Sequence, residues 1–182
     1  MRMTVTHATV ALLVGALACG RPAHAGPADS PLPTFSDGKA AVAVYTAVGV
    51  IKNNNLETAF VCTNVDSAPR DIGVEVFDET GVLRNSVHAG NGAFLDVSPG
   101  QTKTVDTSSS ALLHEDAIIT LDLTVGNLMN NLRNGSGRVV ATSKNVSCTA
   151  MLVDKFHSIC DPAAPCNNPP PTVANLPLTR VP

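Results

Sequence analysis

An all-β fold, an antiparallel sandwich of about seven to nine strands, is what this 182-residue sequence predicts. Three observations carry the prediction. Short β-branched runs alternate at period two, as in Ile72, Val74 and Val76 against Asp71, Gly73 and Glu75. Turn-forming clusters such as Asp66-Ser67-Ala68-Pro69, Asp78-Glu79-Thr80-Gly81 and Ser98-Pro99-Gly100-Gln101 separate those runs. No long stretch has helical periodicity, and no strand–helix alternation supports a parallel α/β sheet.

Residues 1–25 read as a secretory signal peptide. Ala8 to Ala18 is an apolar run of about eleven residues, too short for a membrane span of about 20. Ala23-His24-Ala25 supplies a small-x-small cleavage site, which places the mature start at Gly26. Cys19, after Gly15-Ala16-Leu17-Ala18, loosely resembles a lipoprotein cleavage site, so lipidation there is the minority alternative to its loss with the signal. The chain is therefore expected to be secreted, periplasmic or at the cell surface, with no transmembrane segment.

The mature elements follow in order. Residues 26–38, rich in Pro, Ser, Asp and Gly, read as a flexible or extended leader. A β-sandwich domain is expected over 39–160. Its first strand puts Val42, Val44, Thr46, Val48 and Val50 on one face and small residues on the other. Strands follow at about Thr58–Val65 and Arg70–Phe77, with Val82–Val87 returning as a hairpin partner and Ala93–Val97 as a further strand. Pro99 and Gly100 fit positions i+1 and i+2 of a type II turn. Thr102, Thr104 and Asp106 then form a mostly exposed strand, and Ser108–Leu113 suggests one helical turn. Ala117–Val125 directs Ile119, Leu121, Leu123 and Val125 inward. Residues 126–137, with four Asn and three Gly, read as a loop. Val139–Ser143 and Val146–Val153 are strand material, joined through a bulge or tight bend at Lys144-Asn145. The tail, 161–182, holds seven prolines; Thr172–Val181 can still add an edge strand, because Pro177 is tolerated where no ladder donor is needed.

Cys62, Cys148, Cys160 and Cys166 remain after processing, an even number in an oxidising compartment, and so read as disulfides. Of three possible pairings, Cys62–Cys148 with Cys160–Cys166 is preferred. Cys160 and Cys166 flank a short Pro-containing turn, while Cys62 and Cys148 lie in strand-like segments. That pair closes a loop of about 85 residues, which chain entropy values at roughly 4–5 kcal/mol. A metal set of Asp154, His157, Cys160 and Cys166 is the weaker alternative, since H-x2-C-x5-C is not a zinc spacing and it needs reduced thiolates.

The segment Gly135-Ser136-Gly137-Arg138-Val139-Val140-Ala141-Thr142-Ser143-Lys144, then Cys148 through Asp154, then Asn168-Pro169-Pro170-Pro171-Thr172, resembles a set of small exported bacterial proteins with immunoglobulin-like β-sandwiches. The resemblance covers the C-terminal third best. It implies an immunoglobulin-like sandwich and export, and it transfers no active site, none being established for that set.

No chemistry-bearing constellation is visible. His88, His114 and His157 have no second histidine at metal-ligand spacing, and Gly135-Ser136-Gly137 lacks the strand-to-helix context of a nucleophile elbow. Asp66, Asp71, Asp78 and Glu79 flank turns without the spacing of a calcium loop and read as solvated turn residues. No catalytic, cofactor-binding or metal-ligating residue is therefore assigned, and no cofactor is expected. Loss of Arg2 and Arg21 leaves ten basic against fifteen acidic groups, a formal charge of −5, which disfavours nucleic acid. Aromatic residues are 3% of the chain, with no Trp, which disfavours carbohydrate platforms. The expectation is a non-catalytic structural or protein-interaction module with an unknown protein partner at the cell surface or in the periplasm. A ligand-binding module and, behind it, a hydrolase are the alternatives, and self-association stays open. Burial of one aliphatic side chain contributes about 1.5–3 kcal/mol. Ile119→Asp is accordingly expected to abolish the cooperative thermal transition, monitored by circular dichroism.

Overall fold

The computed structural model describes residues 26–53, 56–110, 113–123, 131–154 and 173–182. Ten strands appear in chain order: β1 (Val42–Asn53), β2 (Leu56–Asn64), β3 (Arg70–Phe77), β4 (Ala93–Val97), β5 (Thr102–Asp106), β6 (Ala117–Ile118), β7 (Leu132–Ala141), β8 (Val146–Asp154), β9 (Ala174–Leu176) and β10 (Leu178–Arg180). The expected all-β class is observed. The strands form one mixed sheet in the order β4-β3-β7-β1-β2-β5-β6, with β10 on β1, β8 on β2 and β9 on β8. Only the β5–β6 pairing is parallel among the described strands. The sheet curls around its own core, where Val44 and Val50 of β1 meet Phe60 of β2, Val74 of β3, Val139 of β7 and Ala150 of β8. Among the described residues there is no helix, and so none long and apolar enough to cross a membrane. Ala111 and Leu112, in the expected helical turn, lie outside the described residues, and the remainder of that segment is not helical.

β1 departs from the simple alternation in its sequence. Its register against β7 shifts between Ala43 and Tyr45 and again between Val48 and Val50, where Gly49 takes φ +86°. Each extra residue exchanges the two faces downstream. Tyr45, Ala47 and Val50 are therefore buried, whereas Val48, expected inward, is 75% exposed.

β3 matches its expected bounds, but not its expected polar face. Asp71 and Glu75 are as buried as Ile72, Val74 and Val76. Lys39 and Asp96 close over Asp71, and the cover over Glu75 and its partner Arg138 is residues 26–38. Instead of a flexible or extended segment, they lie folded against the sheet, with Phe35 fully buried in a second cluster with Ala41, Val87 and Val140. Glu75 pairs directly with Arg138 across the β3–β7 ladder. Arg138 Nε donates to Glu75 Oε2 at 2.8 Å and Nη2 lies 2.7 Å from the same oxygen. Its Nη1 donates to the carbonyls of Pro27 and Ser30, at 3.0 and 2.7 Å, and Nη2 to that of Pro31 at 2.9 Å. These contacts match in number the five N–H donors of a guanidinium, and its face lies 5.5 Å from the Phe77 ring centroid.

Several loop expectations are corrected. Asn134-Gly135-Ser136-Gly137 lies inside β7, the strand between β1 and β3. Glycine is required there by close approach: a Cβ on Gly135 would meet the Phe77 carbonyl oxygen and Leu132 at 2.7 Å, and one on Gly137 would meet Phe60 Cζ at 2.9 Å. Val82–Val87 forms no strand. A lone bridge joins Phe77 to Leu83, and Asn85 fills the gap by accepting from the Val76 N–H and donating to the Val74 carbonyl. Thr102–Asp106 is a strand as expected, though Thr104, Val105 and Asp106 are buried rather than exposed. Ile119, Leu121 and Leu123 point inward as expected, but only Ala117–Ile118 pairs as strand; Val125 lies outside the described residues. The Ser98–Gln101 turn closes as expected, with the Gln101 N–H donating to the Ser98 carbonyl and Gly100 at φ +77°.

Cys62 and Cys148 form the expected disulfide. They are opposite partners in the β2–β8 ladder, with Cα atoms 4.2 Å apart, so the bond staples neighbouring strands rather than crossing the core. The tail adds two short strands: β9 pairs with β8 and β10 with β1, with Pro177 between them outside both ladders. Leu176 is buried in the core, and Leu178 packs against it half-buried.

Arg138→Met is expected to cost about 3–5 kcal/mol in urea unfolding, because it leaves Glu75 buried without its cation. Adding Glu75→Leu should restore most of that loss. Equal losses in the single and double variants would show that the pair does not hold the fold.

Candidate functional site

The sequence-assigned cysteines divide. Cys62 and Cys148 are bonded, while Cys19, Cys160 and Cys166, and with them His157, lie outside the described residues. The two described histidines do not meet each other. His88 lies on the surface, its Nδ1 3.2 Å from both the hydroxyl and the carbonyl of Thr34. His114 is exposed in the segment before β6.

Of the four turn acids, Glu79 is exposed as expected, while Asp66, Asp71 and Asp78 act as fasteners, the last two buried rather than solvated. Asp78 accepts from the Thr80 and Val82 backbone N–H groups, from the Thr80 hydroxyl and from Arg84. Asp71 accepts from the Asp96 N–H at 2.8 Å and pairs with Lys39 at 3.1 Å. Asp66 accepts from Arg70, Ser143, the Ser67 N–H and Asn145, tying the β2–β3 turn to the bend at 142–144. Arg70 first, and Ser143 with it, holds the Asp66 carboxyl well below the ordinary carboxylate range. That bend resolves the choice left open at Lys144-Asn145: it is a tight bend, closed by the Asn145 N–H on Ser143 Oγ.

A further cluster of carboxyls gathers at the start of β2 and the end of β5. Glu57, Asp106 and Glu115 bring one oxygen each to within 4.8 Å of one another. The ladder explains the meeting. Asp106, the last residue of β5, stands opposite Ala59 of β2, and Glu57 lies two residues before Ala59 on the same face of that strand. Such diagonal positions are within reach of long side chains. Glu115 arrives from the segment that returns along β5. It is held there by the Ser110 N–H and hydroxyl, which donate to its Oε1 at 2.7 and 2.9 Å. Glu57 and Asp106 are fully buried, and no donor among the described residues reaches either oxygen of Asp106. Desolvation, followed by the negative charges of Glu57 and Glu115, pushes the Asp106 carboxyl up to about 8.

None of the three was assigned from sequence. They are separated by 49 and 9 positions, and Asp106 occupies the expected exposed face of its strand. The one available signal was Glu57 at the head of an apolar run, which by itself reads as a strand-end residue. Beside the cluster, Asp116 is differently placed, accepting from Lys103 Nζ and the Thr104 N–H, both at 2.8 Å.

Comparison with protein-family models, curated proteins and solved structures finds no match.

The unfolded Asp106 carboxyl ionises near 3.8 and the folded one near 8, so the folded chain holds an extra proton between those values. The stabilisation is complete below pH 4 and is lost as pH rises through 8. In a chelator-containing buffer, urea-unfolding free energy is expected to fall from pH 4 towards pH 8, more steeply for the wild type than for Asp106→Asn. Parallel profiles would remove Asp106 as the source.

Proposed function

We propose that the chain is an exported, non-catalytic module of structural or protein-interaction type, built as an immunoglobulin-like β-sandwich. Two hydrogen-bonded runs support the two-layer arrangement. One is β4-β3-β7-β1-β10 and the other β9-β8-β2-β5-β6, and they share the two rungs Lys52↔Glu57 and Asn53↔Leu56 at the β1–β2 hairpin. Both runs contribute to one core. A disulfide within the second run favours an oxidising compartment, in keeping with the signal-like residues 1–25.

The observation that carries the interaction reading is the tail. Residues 174–180 hold to the sheet by strand addition at two separate edges, three residues at each. The sheet thus accepts extended segments through main-chain bonds, the mode by which sheet edges recruit peptides and neighbours. β4 offers a further edge. It has only β3 as a strand neighbour among the described residues, and Leu95 is 43% exposed on it. The charged groups support the non-catalytic part, since Asp66, Asp78, Glu75 and Arg138 are engaged with turns and the 26–38 segment.

Size-exclusion chromatography with light scattering tests the reading on the chain from Gly26. Mass is expected to rise with concentration for the wild type and to stay at one chain for Leu95→Lys, because an edge charge opposes pairing. A single-chain mass at every concentration would remove self-pairing. Hydrolase activity that disappears in His114→Ala would overturn the non-catalytic reading altogether.

A further inference from the structure

We propose that Glu57, Asp106 and Glu115 form a binding site for a divalent cation of calcium type, which locks the end of the β2–β5 ladder to the segment before β6. The geometry suits such an ion. Ca²⁺ takes oxygen ligands at about 2.3–2.6 Å, so two oxygens on one ion lie no more than about 5 Å apart. The three carboxyl oxygens here fall within 4.8 Å of one another. Three carboxylates supply between three and six of the six to eight oxygens that calcium takes, and water fills the remainder. The half-buried position of Glu115 leaves that water a route to the site.

Asp106 is the second, separate observation. A fully buried carboxylate ordinarily carries donors or a cation, since its desolvation is otherwise uncompensated. Elsewhere in this chain that rule holds: Glu75 has Arg138, Asp78 has Arg84 and Asp71 has Lys39. Asp106 has no hydrogen-bond donor on either oxygen among the described residues, and it faces two further acids. The ligand it faces towards is therefore positive and compact. The donor set is all oxygen, without imidazole or thiolate, which selects hard cations over zinc or copper.

Placement gives the ion a mechanical role. Beyond Asp106 the chain leaves β5, and it comes back at Ala117 as β6, paired to β5 through two positions. An ion shared by Glu57, Asp106 and Glu115 fixes the start of that return to β2 and β5. Ile119, Leu121 and Leu123 then enter the core directly downstream.

The test uses the chain from Gly26, stripped with chelator and dialysed. Isothermal titration with CaCl2, MgCl2 and MnCl2, against NaCl at matched ionic strength, is paired with thermal unfolding in each salt. One saturable calcium site per chain is expected, with a Tm that keeps rising with the logarithm of calcium concentration above saturation. Asp106→Asn and Glu115→Gln, each still folded by circular dichroism, are expected to weaken binding by at least about tenfold, since ligand charge sets the affinity of such sites. Glu115→Gln is the safer variant, because its side chain is the least buried of the three. Absence of saturable heat and of any divalent-specific Tm shift at millimolar concentration would overturn the proposal. So would an Asp106→Asn variant that binds calcium as the wild type does, or whose stability gain is the same with and without calcium. The last result would identify the cluster as carboxyls sharing a proton.

Discussion

The ion pair between Glu75 and Arg138 is the constraint around which the rest of this structure is arranged. Two charges placed opposite each other in adjoining strands would normally lie on a solvated face. Here both are buried, and burial of an ion pair costs more than its Coulomb attraction returns unless the remaining donors are satisfied. Burial pushes the Glu75 carboxyl up, while the Arg138 guanidinium opposes that shift. The remaining N–H groups are satisfied by the carbonyls of Pro27, Ser30 and Pro31, so the segment before β1 becomes part of the fold. With those residues anchored, Phe35 is delivered onto Val87 and Val140, and the outer face of β3 and β7 gains a small core of its own. Proline suits this arrangement, because a carbonyl-rich segment lacking some N–H donors presents acceptors without adding donors to be satisfied.

Much of this was legible in the sequence where local chemistry decides local structure. Arg70–Phe77 and Ala93–Val97 were read at their observed bounds, because alternation and flanking turn residues agree there. The Cys62–Cys148 pairing was also legible, through the strand character of both segments and the even cysteine count. Its position was not, since two cysteines in strands fit a cross-core bond as well as a rung of one ladder. The failures share a physical cause, which is that tertiary contact overrides the local signal. Gly135 and Gly137 look like a loop until Phe77, Leu132 and Phe60 are placed against them. Val48 looks buried until the bulge between Ala43 and Tyr45 turns it outward. Glu75 looks solvated until residues 26–38 fold over its partner Arg138, and Asp71 until Lys39 and Asp96 close on it.

β2 is the strand on which these features converge. It pairs with β5 on one side, with β8 on the other, and at its start with β1. The disulfide fixes its middle to β8 at Cys62, and Asn64 fixes its end by donating to the carbonyls of Ala68 and Val97. Its beginning is held by polar contacts. Thr58 Oγ1 accepts from the Ile51 N–H, and the Thr58 N–H donates to Thr107 Oγ1. Covalent, amide and hydroxyl fastenings thus act at successive points along one strand, which limits slippage against three partners at once.

The carboxyl cluster sits at the beginning of that same strand, and its contrast with Glu75 is informative. Both sites bury acids in a sheet whose strands are otherwise dominated by aliphatic side chains. At Glu75 the chain supplies its own counter-charge and then spends backbone carbonyls to satisfy it. At Asp106 the nearest charges are of the same sign, and no donor among the described residues reaches either carboxyl oxygen, so a species from solution completes the site. A proton can do this only while the pH stays below the raised ionisation range of Asp106. A divalent cation neutralises two charges at once and draws all three carboxyls to one centre. The two sites thus keep their acids inside the sheet differently: one uses an arginine fixed by the leading segment, the other an ion whose supply depends on the compartment. The second makes the return of the chain through Ile119, Leu121 and Leu123 responsive to the surroundings, while the first does not vary with them.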